Sequence, residues 1–324
     1  MQKPVVLNAK DKKILASLET NARQPESAIA KQVGLSKQVV NYRIKHLEKQ
    51  GVIESYYTII NTGKLGYNTY YVFIQLEHIN KRTEQEILEK IRDLSFIGWL
   101  VSGIGRWDAI FLIYAESNTL FDKCLGIVFK LCGTHLHEYN FTTLIAAEHI
   151  SYRFLKQETE GRVFQTEKTE IATLDKIDQR LLKEISQNAR LPALRIAALS
   201  GFPTHTVTYH LKQLREKNII EGFKPKINVA RLGYQWHLLL VQFHRDNEER
   251  LQAFINYCKK YQHIYYVTHT IGYYNLMLDI HTRSIEEFKE VLLDLKDKFS
   301  DVIKLYESFI VFEEYKIDYL PPLS

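Results

Sequence analysis

Polar and cationic side chains recur at helical spacing between Gly34 and Ile53. The apolar residues of this stretch lie on one side of a helix, which predicts an amphipathic helix with one buried face. The opposite side carries six residues that can contact base edges or phosphates, namely Lys37, Gln38, Asn41, Tyr42, Arg43 and Lys45. Lysine can donate to guanine, and Gln and Asn can pair with adenine, so this face predicts contact with double-stranded DNA.

A second segment with the same properties lies 167 residues further along the chain. Pro203 marks the start of its helix, whose outward residues would be Thr204, His205, Thr208, Tyr209 and Lys212. Tyr42 and Tyr209 occupy the same position in the two segments, where each either covers the helix flank or contacts a phosphate.

Positive charge is confined to these two parts of the chain. Residues 7–60 hold nine Lys/Arg against five Asp/Glu, and residues 174–227 hold ten against five. The whole chain carries a net charge of only +5, so the remainder is net negative. This distribution predicts two surfaces that meet an anion.

The two segments belong to a repeat that covers most of the sequence. The same offset relates "NAR" at 21–23 to 188–190 and "LGY" at 65–67 to 232–234. The copies extend over roughly 7–153 and 174–320 without a gap, and each is long enough to be a whole small protein. The polar and charged residues 154–173 between them predict a linker.

Each copy predicts two domains, and together they give an α+β fold class. Two short helices, a longer helix and a strand predict a winged helix-turn-helix over residues 1–62 and 174–229. Strand and helix patterns in the order β-α-β-β-α-β predict a ferredoxin-like domain over residues 63–153 and 230–324. The helices would cover only one face of each such sheet. We therefore expect the two sheets to pack against each other within the chain, as a pseudo-dimer.

The composition and the cysteines exclude other classes of protein. The chain is 45% hydrophobic and 25% charged, and it has no apolar run of the roughly 20 residues that a membrane span needs. Its N-terminus lacks the apolar core of a signal peptide. Three widely spaced cysteines without a C-x-x-C motif fit a reduced compartment. We expect a cytoplasmic protein that has no membrane contact.

Catalytic and metal-binding patterns are weak in this sequence. Cys132, His135 and His137 could approach a metal ion, but the equivalent positions in copy two hold Phe299, Val302 and Lys304. A structural zinc site usually needs four ligands, so we expect no metal. The sequence contains no glycine-rich phosphate loop, nucleophile elbow or H-E-x-x-H motif. We therefore expect no catalytic residues, no cofactor and no enzyme activity.

Each copy resembles a complete member of the Lrp/AsnC family of leucine-responsive transcriptional regulators. The resemblance is carried by "KDKKIL", "NAR", "GLS", the pattern V-x-x-R-I-x-x-L-E-x-x-G-V-I from Val40 to Ile53, and "GRWD" at 105–108. It implies a DNA-binding domain followed by an effector-sensing and oligomerisation domain, usually called RAM. It also implies a homo-oligomer, and an amino acid or another small effector bound near the glycine turn, at Gly103, Gly105, Trp107 and Asp108.

Copy two departs from the family pattern. "GLS" becomes "GFP", His210 replaces Arg43, and "GRWD" becomes Gly272-Tyr273-Tyr274-Asn275. A neutral Asn binds an ammonium group less well than Asp does, so effector binding is expected in copy one rather than copy two. Both turns also have a purely structural explanation, because glycines permit tight hairpins. Since the two outward helix faces differ, we expect an operator with two unlike half-sites.

Two other functions also fit parts of the sequence. Winged helices serve as protein-interaction modules in some proteins, and a solvated polar face would suit that role. Tetrapyrrole decarboxylases of the sirohaem and haem d1 pathways share this two-domain fold, and "YYNLMLDIH" at 273–281 loosely resembles their second domain. The arginine-proline and tryptophan cluster expected ahead of such a segment is absent from the sequence.

Overall fold

The computed structural model describes residues 3–155, 162–165, 170–244 and 248–323. Within these residues, no helix is both long and apolar enough to cross a lipid bilayer. The predicted linker, 154–173, falls in part outside the described residues.

Copy one begins with three helices and a strand: α1 (Ala9–Thr20), α2 (Glu26–Val33), α3 (Lys37–Lys49) and β1 (Ile53–Ile60). Asn8 and Asp11 form a capping box at the start of α1, and the Ser36 hydroxyl accepts the Val39 N–H at 3.3 Å to cap α3. Gly34 ends α2 with φ +68°, a conformation that favours glycine. These local signals place the two helices of the helix-turn-helix.

The rest of copy one alternates strands and helices: β2 (Asn68–Leu76), α4 (Lys81–Arg92), β3 (Ile97–Ile104), β4 (Ala109–Ala115), α5 (Asn118–Cys132) and β5 (Leu136–His149). A short strand, β6 (Arg162–Gln165), then pairs with the end of β5. The sequence predicts only a linker at this point. The last residues of β5 extend beyond β2 and leave a backbone edge that β6 completes.

Copy two repeats this order, with α6 (Lys176–Ser186), α7 (Ala193–Ser200), α8 (Thr204–Glu216), β7 (Ile220–Ile227), β8 (Gln235–Phe243), α9 (Glu248–Lys260), β9 (Ile264–Gly272), β10 (Leu276–Thr282), α10 (Ile285–Phe299) and β11 (Ile303–Ile317). The predicted fold class is confirmed: α+β, with a winged helix-turn-helix and a ferredoxin-like domain repeated in tandem.

The two ferredoxin-like sheets close into one antiparallel barrel. The strand order is β2-β4-β3-β11-β8-β10-β9-β5, and β5 also pairs with β2. Closure depends on β5 and β11, since each pairs with its own sheet along its first half and with an edge strand of the other copy along its second half. The sequence predicts two sheets packed face to face. In the structure they are also hydrogen-bonded edge to edge, so neither copy leaves an open edge there.

Apolar side chains fill the barrel and the two layers outside it. The interior contains Phe73, Trp107, Tyr274 and Phe309, all buried. Helices α4 and α5 pack outside the copy-one sheet, and α9 and α10 pack outside the copy-two sheet. The inner face of each ferredoxin-like sheet is therefore covered within a single chain, and helices cover part of the outer face.

The two winged helix domains also pair with each other. Strands β1 and β7 form a two-stranded antiparallel sheet, with Ile53 opposite Ile227 and Ile60 opposite Ile220. Buried residues of both domains belong to one hydrophobic core. The two winged helix domains are thus a single packed unit rather than two bodies on a flexible connection.

Candidate nucleic-acid interface and a buried cavity

Two arginines at equivalent positions lock the paired winged helix domains. Arg23 Nη1 donates to the Ala189 carbonyl at 2.6 Å, and Arg190 Nη1 donates to the Ala22 carbonyl at 2.6 Å. Arg190 also forms an ion pair with Glu26 at 2.8 Å. These reciprocal bonds have the form of a two-fold interface, here built inside one chain. They fix the separation and the angle between helices α3 and α8.

The outward face of α3 holds most of the predicted DNA contacts. Lys37, Gln38 and Lys45 are exposed, and Asn41 is half-buried. Val40, Ile44 and Leu47 occupy the buried side, as the apolar pattern predicts. Within the described part of the chain, no hydrogen bond or ion pair occupies the side chains of the four polar residues, which leaves them available to a ligand.

The equivalent face of α8 is less charged. Thr204, His205, Thr208 and Lys212 are exposed. The Thr208 hydroxyl donates to the Thr204 carbonyl at 2.9 Å, and Lys212 lies 3.6 Å from Glu216. The second face therefore offers neutral donors and acceptors where the first offers two free lysines.

The two tyrosines on these helices are outside the core. The exposed fraction is 67% for Tyr42 and 60% for Tyr209, so neither ring contributes to buried packing. The Tyr42 ring stacks on His46 with a centroid distance of 6.0 Å. Contact with a phosphate and cover of the helix flank both stay open for these side chains.

Arg43 differs from the other predicted contacts. Its Nη1 atom pairs with Asp11 Oδ1 at 2.8 Å, and the side chain is only 23% exposed. In copy two, His210 Nδ1 lies 2.8 Å from Asp178 Oδ1. The replacement of Arg43 by His210 in copy two therefore preserves the contact between the third helix and the first. Arg43 therefore has a structural role, and its contact with DNA stays a prediction.

Replacing Arg43 by methionine is expected to lower the free energy of unfolding by about 1–3 kcal/mol, because Asp11 loses a charge-assisted hydrogen bond at a largely buried position. The ranking of DNA sequences by affinity should not change. Urea unfolding and competition binding on two unrelated DNA sites would measure the two effects. A changed preference between the sites, with unchanged stability, would instead show that Arg43 contacts DNA bases and has no structural role.

The four predicted effector residues lie at the β3–β4 turn, where the two copies meet. Trp107 is buried, and its Nε1 atom donates to the Tyr274 hydroxyl at 2.7 Å. A Cβ atom on Gly103 would lie 2.0 Å from the Ile310 carbonyl oxygen, and one on Gly105 would lie 2.6 Å from that of Ser308. Both glycines thus allow β3 to approach β11. This gives them a packing role, and their role in effector binding stays a prediction.

Asp108 has a clear structural partner as well. Its Oδ2 atom accepts the Leu76 N–H at 2.6 Å, and Asn275 Oδ1 accepts the Phe243 N–H at 3.0 Å in copy two. An amide serves this purpose as well as a carboxylate does, which accounts for the Asn at the second turn. Effector binding by Asp108 likewise stays a prediction.

The residues considered as metal ligands are buried or contact other protein groups. Cys132 is buried, and burial raises the pKa of its thiol to about 11. His137 Nδ1 lies 3.0 Å from Glu77, and His135 contacts the Glu77 backbone. Elsewhere, Asp175, Asp178 and His210 lie close enough to share an ion, but Asp175 and Asp178 form the capping box of α6. These contacts explain each group without a metal.

A cavity of about 110 Å³ lies between the β1–β7 sheet and one end of the barrel. Sequence analysis did not find it, because its walls come from ten stretches of both copies. Aromatic residues dominate the lining, which includes Tyr57, Tyr71, Trp99, Tyr114, Tyr152, Trp236, Tyr265, Tyr266 and Tyr319. The only local signal is an Asp inside the apolar strand "LMLDIH". That residue, Asp279, faces the cavity.

Two carboxylates on neighbouring parts of the wall dominate its electrostatics. Asp279 accepts the Trp236 indole N–H at 2.9 Å, and Glu314 accepts that of Trp99 at 2.7 Å. Lys226 pairs with Glu314 at 3.0 Å and with Glu54 at 3.2 Å. Burial raises the pKa of Asp279 to about 7, with a further contribution from Glu314.

Next to the cavity, three ionisable groups meet in the interior. Lys224 Nζ donates to the Glu19 carbonyl at 2.5 Å and lies 3.2 Å from His149 Nδ1. His149 also hydrogen-bonds to Tyr265, which lines the cavity. Burial raises the pKa of Glu19 to about 7, against the effect of Lys224, and burial lowers the pKa of His149. The three residues come from α1, β7 and β5, so they join both winged helix domains to the barrel.

Comparison with known proteins gives relatives for each half of a copy. A profile of winged helix-turn-helix DNA-binding domains matches residues 7–54 and 174–221, and one of the Lrp/AsnC ligand binding domain matches residues 238–321. The HTH-type transcriptional regulator LrpA of Pyrococcus horikoshii is 34% identical over 115 residues, which are 35% of this chain and 79% of that protein. The HTH-type transcriptional regulator FL11 of Pyrococcus abyssi is 28% identical over 120 residues, 37% of this chain and 78% of that protein.

One solved structure matches the architecture of the whole chain. The siroheme decarboxylase NirDL has a TM-score of 0.65 and 13% identity, covering 98% of this chain and 95% of that one. Its complex with an iron-uroporphyrin III analogue gives a TM-score of 0.63 at 13% identity, with coverages of 96% and 93%. At such identity the likeness shows the fold alone.

This comparison overturns one expectation from the sequence. The exclusion of enzyme activity is wrong, because the fold that matches from end to end is that of an enzyme. A barrel with buried ionisable groups is compatible with catalysis as well as with regulation.

The relatives that share sequence with the chain are regulators, and their similarity covers most of their own length. The chain therefore belongs to the Lrp/AsnC family of transcriptional regulators.

Proposed function

We propose that this protein regulates transcription by binding specific sites on double-stranded DNA through α3 and α8. The single observation that carries the proposal is the pair of exposed polar helix faces held in fixed relation by one core and one β1–β7 sheet. A protein-interaction module would not require two such faces at a fixed spacing. Positive charge concentrated in the same segments supports contact with phosphates.

The two faces differ, so the preferred site should have two unlike halves. Lys37, Gln38, Asn41 and Lys45 offer contacts to guanine and adenine. Thr204, His205, Thr208 and Lys212 offer a different set. A dimer of identical chains suits a palindrome, whereas this chain carries both helices in a fixed, non-identical pair.

Selection of binding sites from random duplexes by the full-length chain tests this proposal. The expected result is a bipartite site with unlike halves, bound with an affinity that falls steeply as salt is added. Recovery of perfect palindromes alone would contradict the unlike half-sites. Absence of binding to any duplex at low ionic strength would contradict the proposed function itself.

Asn41→Ala and Lys45→Ala are each expected to weaken binding to the selected site by about 1–3 kcal/mol, or roughly 5- to 150-fold, if their side chains contact bases. Gel-shift titration at one salt concentration would measure the loss. Asn256→Ala, an exposed change on α9 outside the winged helix domains, is a matched control. Unchanged affinity and specificity in both variants would remove these residues from the interface.

The barrel half is proposed to bind a small effector and to support further association of chains. The match of residues 238–321 to a ligand binding domain supports the first proposal. The second is supported by exposed apolar side chains on β5 and β11, namely Phe141, Ile145, Leu305 and Phe312. Light scattering of the purified chain over a range of concentrations would determine the number of chains per particle.

A second candidate function is chemistry on a tetrapyrrole, which the end-to-end match to a siroheme decarboxylase favours. The cavity at the barrel end has the carboxylates and tyrosines that a proton transfer needs. At about 110 Å³ it is too small for a tetrapyrrole unless the β1–β7 sheet moves away. Addition of sirohaem and a search for a shifted visible absorption band test this candidate, and an unchanged spectrum would count against it.

A further inference from the structure

The cavity between the β1–β7 sheet and the barrel has two chemically different ends. All of its charged and imidazole side chains come from copy two, and they are Lys226, Asp279, His281, Glu314 and Asp318. The lining residues of copy one are aromatic or apolar. The duplication has thus produced a bipolar site from what would be a symmetric space in a dimer of identical chains.

The offset of 167 residues shows how this difference arose. Asp279 corresponds to Leu112, Glu314 to Ala147 and Lys226 to Ile59. Leu112 and Asp279 line the same cavity on opposite copies. A ligand that fits both ends must combine an apolar body with a polar group.

The polar end of the cavity, formed by the charged residues of copy two, has three carboxyl groups but only one lysine. Lys226 is shared between Glu314 and Glu54, and Asp279 has the neutral indole of Trp236 as its hydrogen-bond donor. Burial lowers the pKa of His281 to about 3, so this imidazole is neutral. Its Nδ1 atom has no hydrogen-bond partner among the described residues. Above about pH 7, where Asp279 loses its proton, the end therefore attracts a cation, and His281 can accept or donate one further hydrogen bond.

The aromatic walls suit the same kind of ligand. Tyrosine and tryptophan rings attract a cation through their π faces, and they also bury apolar groups. Tyr71, Trp99, Trp236 and Tyr319 surround the space between the two carboxylates and the copy-one wall. An anionic ligand would instead face Asp279, Glu314 and Asp318 in a region of low dielectric.

We propose that this cavity binds a small organic cation, an ammonium group on an aromatic or aliphatic body, with the ammonium at Asp279 and the apolar body against Leu112 and Tyr114. The ligand class differs from an amino acid, because a carboxylate beside the ammonium would be repelled by Glu314. The site is also separate from the glycine turn, since none of Gly103, Gly105, Trp107 and Asp108 lines it.

The position of the cavity couples such a ligand to the helices that contact DNA. The β1–β7 sheet lines one side of the cavity through Tyr57 of β1 and Pro225, Lys226 and Ile227 of β7. The same two strands join the winged helix domains. A ligand bound in the cavity would therefore change the packing of the strands that hold α3 and α8 in position. This coupling depends on the proposed function, whereas binding of the cation does not.

Isothermal titration calorimetry of the full chain without DNA, at pH 8 so that Asp279 is ionised, tests the site. Phenethylamine is the probe, 2-phenylethanol replaces the ammonium by a hydroxyl, and phenylalanine adds a carboxylate. We expect phenethylamine to bind at least about tenfold more tightly than the other two, and Asp279→Asn to weaken it by about 10- to 100-fold through loss of one charge-assisted contact. Glu313→Gln, an exposed change one residue from Glu314, should leave binding unchanged.

Several results would overturn the proposal. These are no heat of binding with phenethylamine, equal binding of the alcohol or of phenylalanine, or full binding by the Asp279→Asn chain. Asn keeps the volume of Asp and removes a buried charge, so this variant should fold at least as well as the parent protein. Its thermal unfolding gives that check. Because no DNA is present, failure here is distinguishable from failure of the DNA-binding proposal.

Discussion

Replacing Lys224 by methionine is expected to lower the free energy of unfolding at pH 8 by about 3–5 kcal/mol, the usual cost of leaving a buried charge without the opposite charge near it, since Lys224 favours the ionised form of Glu19. Lys224 is 5% exposed and Glu19 is 2% exposed. Methionine keeps the apolar stem but removes the charge. The oxygens of Glu19 have no hydrogen-bond donor among the described residues even in the parent protein, and His149 Nε2 lies 3.5 Å from Oε2. Loss of Lys224 would therefore remove the buried positive charge that favours this carboxylate.

The loss should be smaller at pH 6 than at pH 8. Burial raises the pKa of Glu19 to about 7 although Lys224 lowers it, so folding takes up a proton and stability falls as pH rises from about 4.5 through 7. Without Lys224 the pKa rises further, and at pH 6 the carboxyl is neutral. Burial keeps the pKa of His149 well below its usual value of 6.5, so His149 takes up a proton on unfolding at pH 6. This contribution is present in the parent protein and in the variant, and it largely cancels from the difference between them.

Urea unfolding of the variant at both pH values measures the effect. Lys183→Met removes an exposed lysine from α6 and serves as the control. Equal losses at pH 6 and pH 8, or a loss as small as that of the control, would show that Glu19 does not depend on Lys224. The cluster joins α1, β5 and β7, so its disruption should also loosen the connection between the winged helix domains and the barrel.

Much of the fold follows from local sequence signals. The capping residues Asn8 and Ser36 and the left-handed Gly34 define where α1, α2 and α3 begin and end. Because the offset of 167 residues is constant, an element recognised in one copy predicts its equivalent in the other. The buried and exposed sides of α3 follow directly from its apolar period.

The features that sequence analysis missed depend on contacts between distant residues. Barrel closure requires β5 and β11 to change partners halfway along their length, and no period within a strand reports this. Arg43 lies on α3 and Asp11 on α1, so the pattern of residues within α3 cannot predict their ion pair. The cavity combines side chains from both copies, and only the lone Asp279 in an apolar strand marked it.

One architecture is shared by proteins with two kinds of function. The sequence relatives are DNA-binding regulators, while the match along the whole chain is to a decarboxylase. A fold does not determine function; the site does. In this chain, the exposed faces of α3 and α8 favour regulation, and the buried carboxylates of the cavity favour a small ligand beneath them.

Trp107→Ala is expected to lower the free energy of unfolding by about 3–5 kcal/mol, the usual range for a buried aromatic replaced by alanine. Trp107 is 1% exposed, and it packs on Phe73 with ring centroids 5.9 Å apart. It also meets Tyr274, its counterpart in copy two, through the 2.7 Å hydrogen bond. The substitution therefore leaves a void where the two copies meet and removes one of the two hydrogen bonds of the Tyr274 hydroxyl, which still donates to Glu307.

Tyr274→Phe separates the two contributions, because it keeps the ring and removes the hydrogen bonds of Tyr274 to Trp107 and Glu307. A loss of about 1–3 kcal/mol is expected from the unpaired groups alone. Tyr42→Ala, at an exposed aromatic, should change stability by no more than about 0.5 kcal/mol. If Trp107 served mainly to contact an effector, its replacement would leave urea unfolding unchanged and abolish the ligand response. A large loss of stability would instead show that the tryptophan of the "GRWD" motif holds the two copies together.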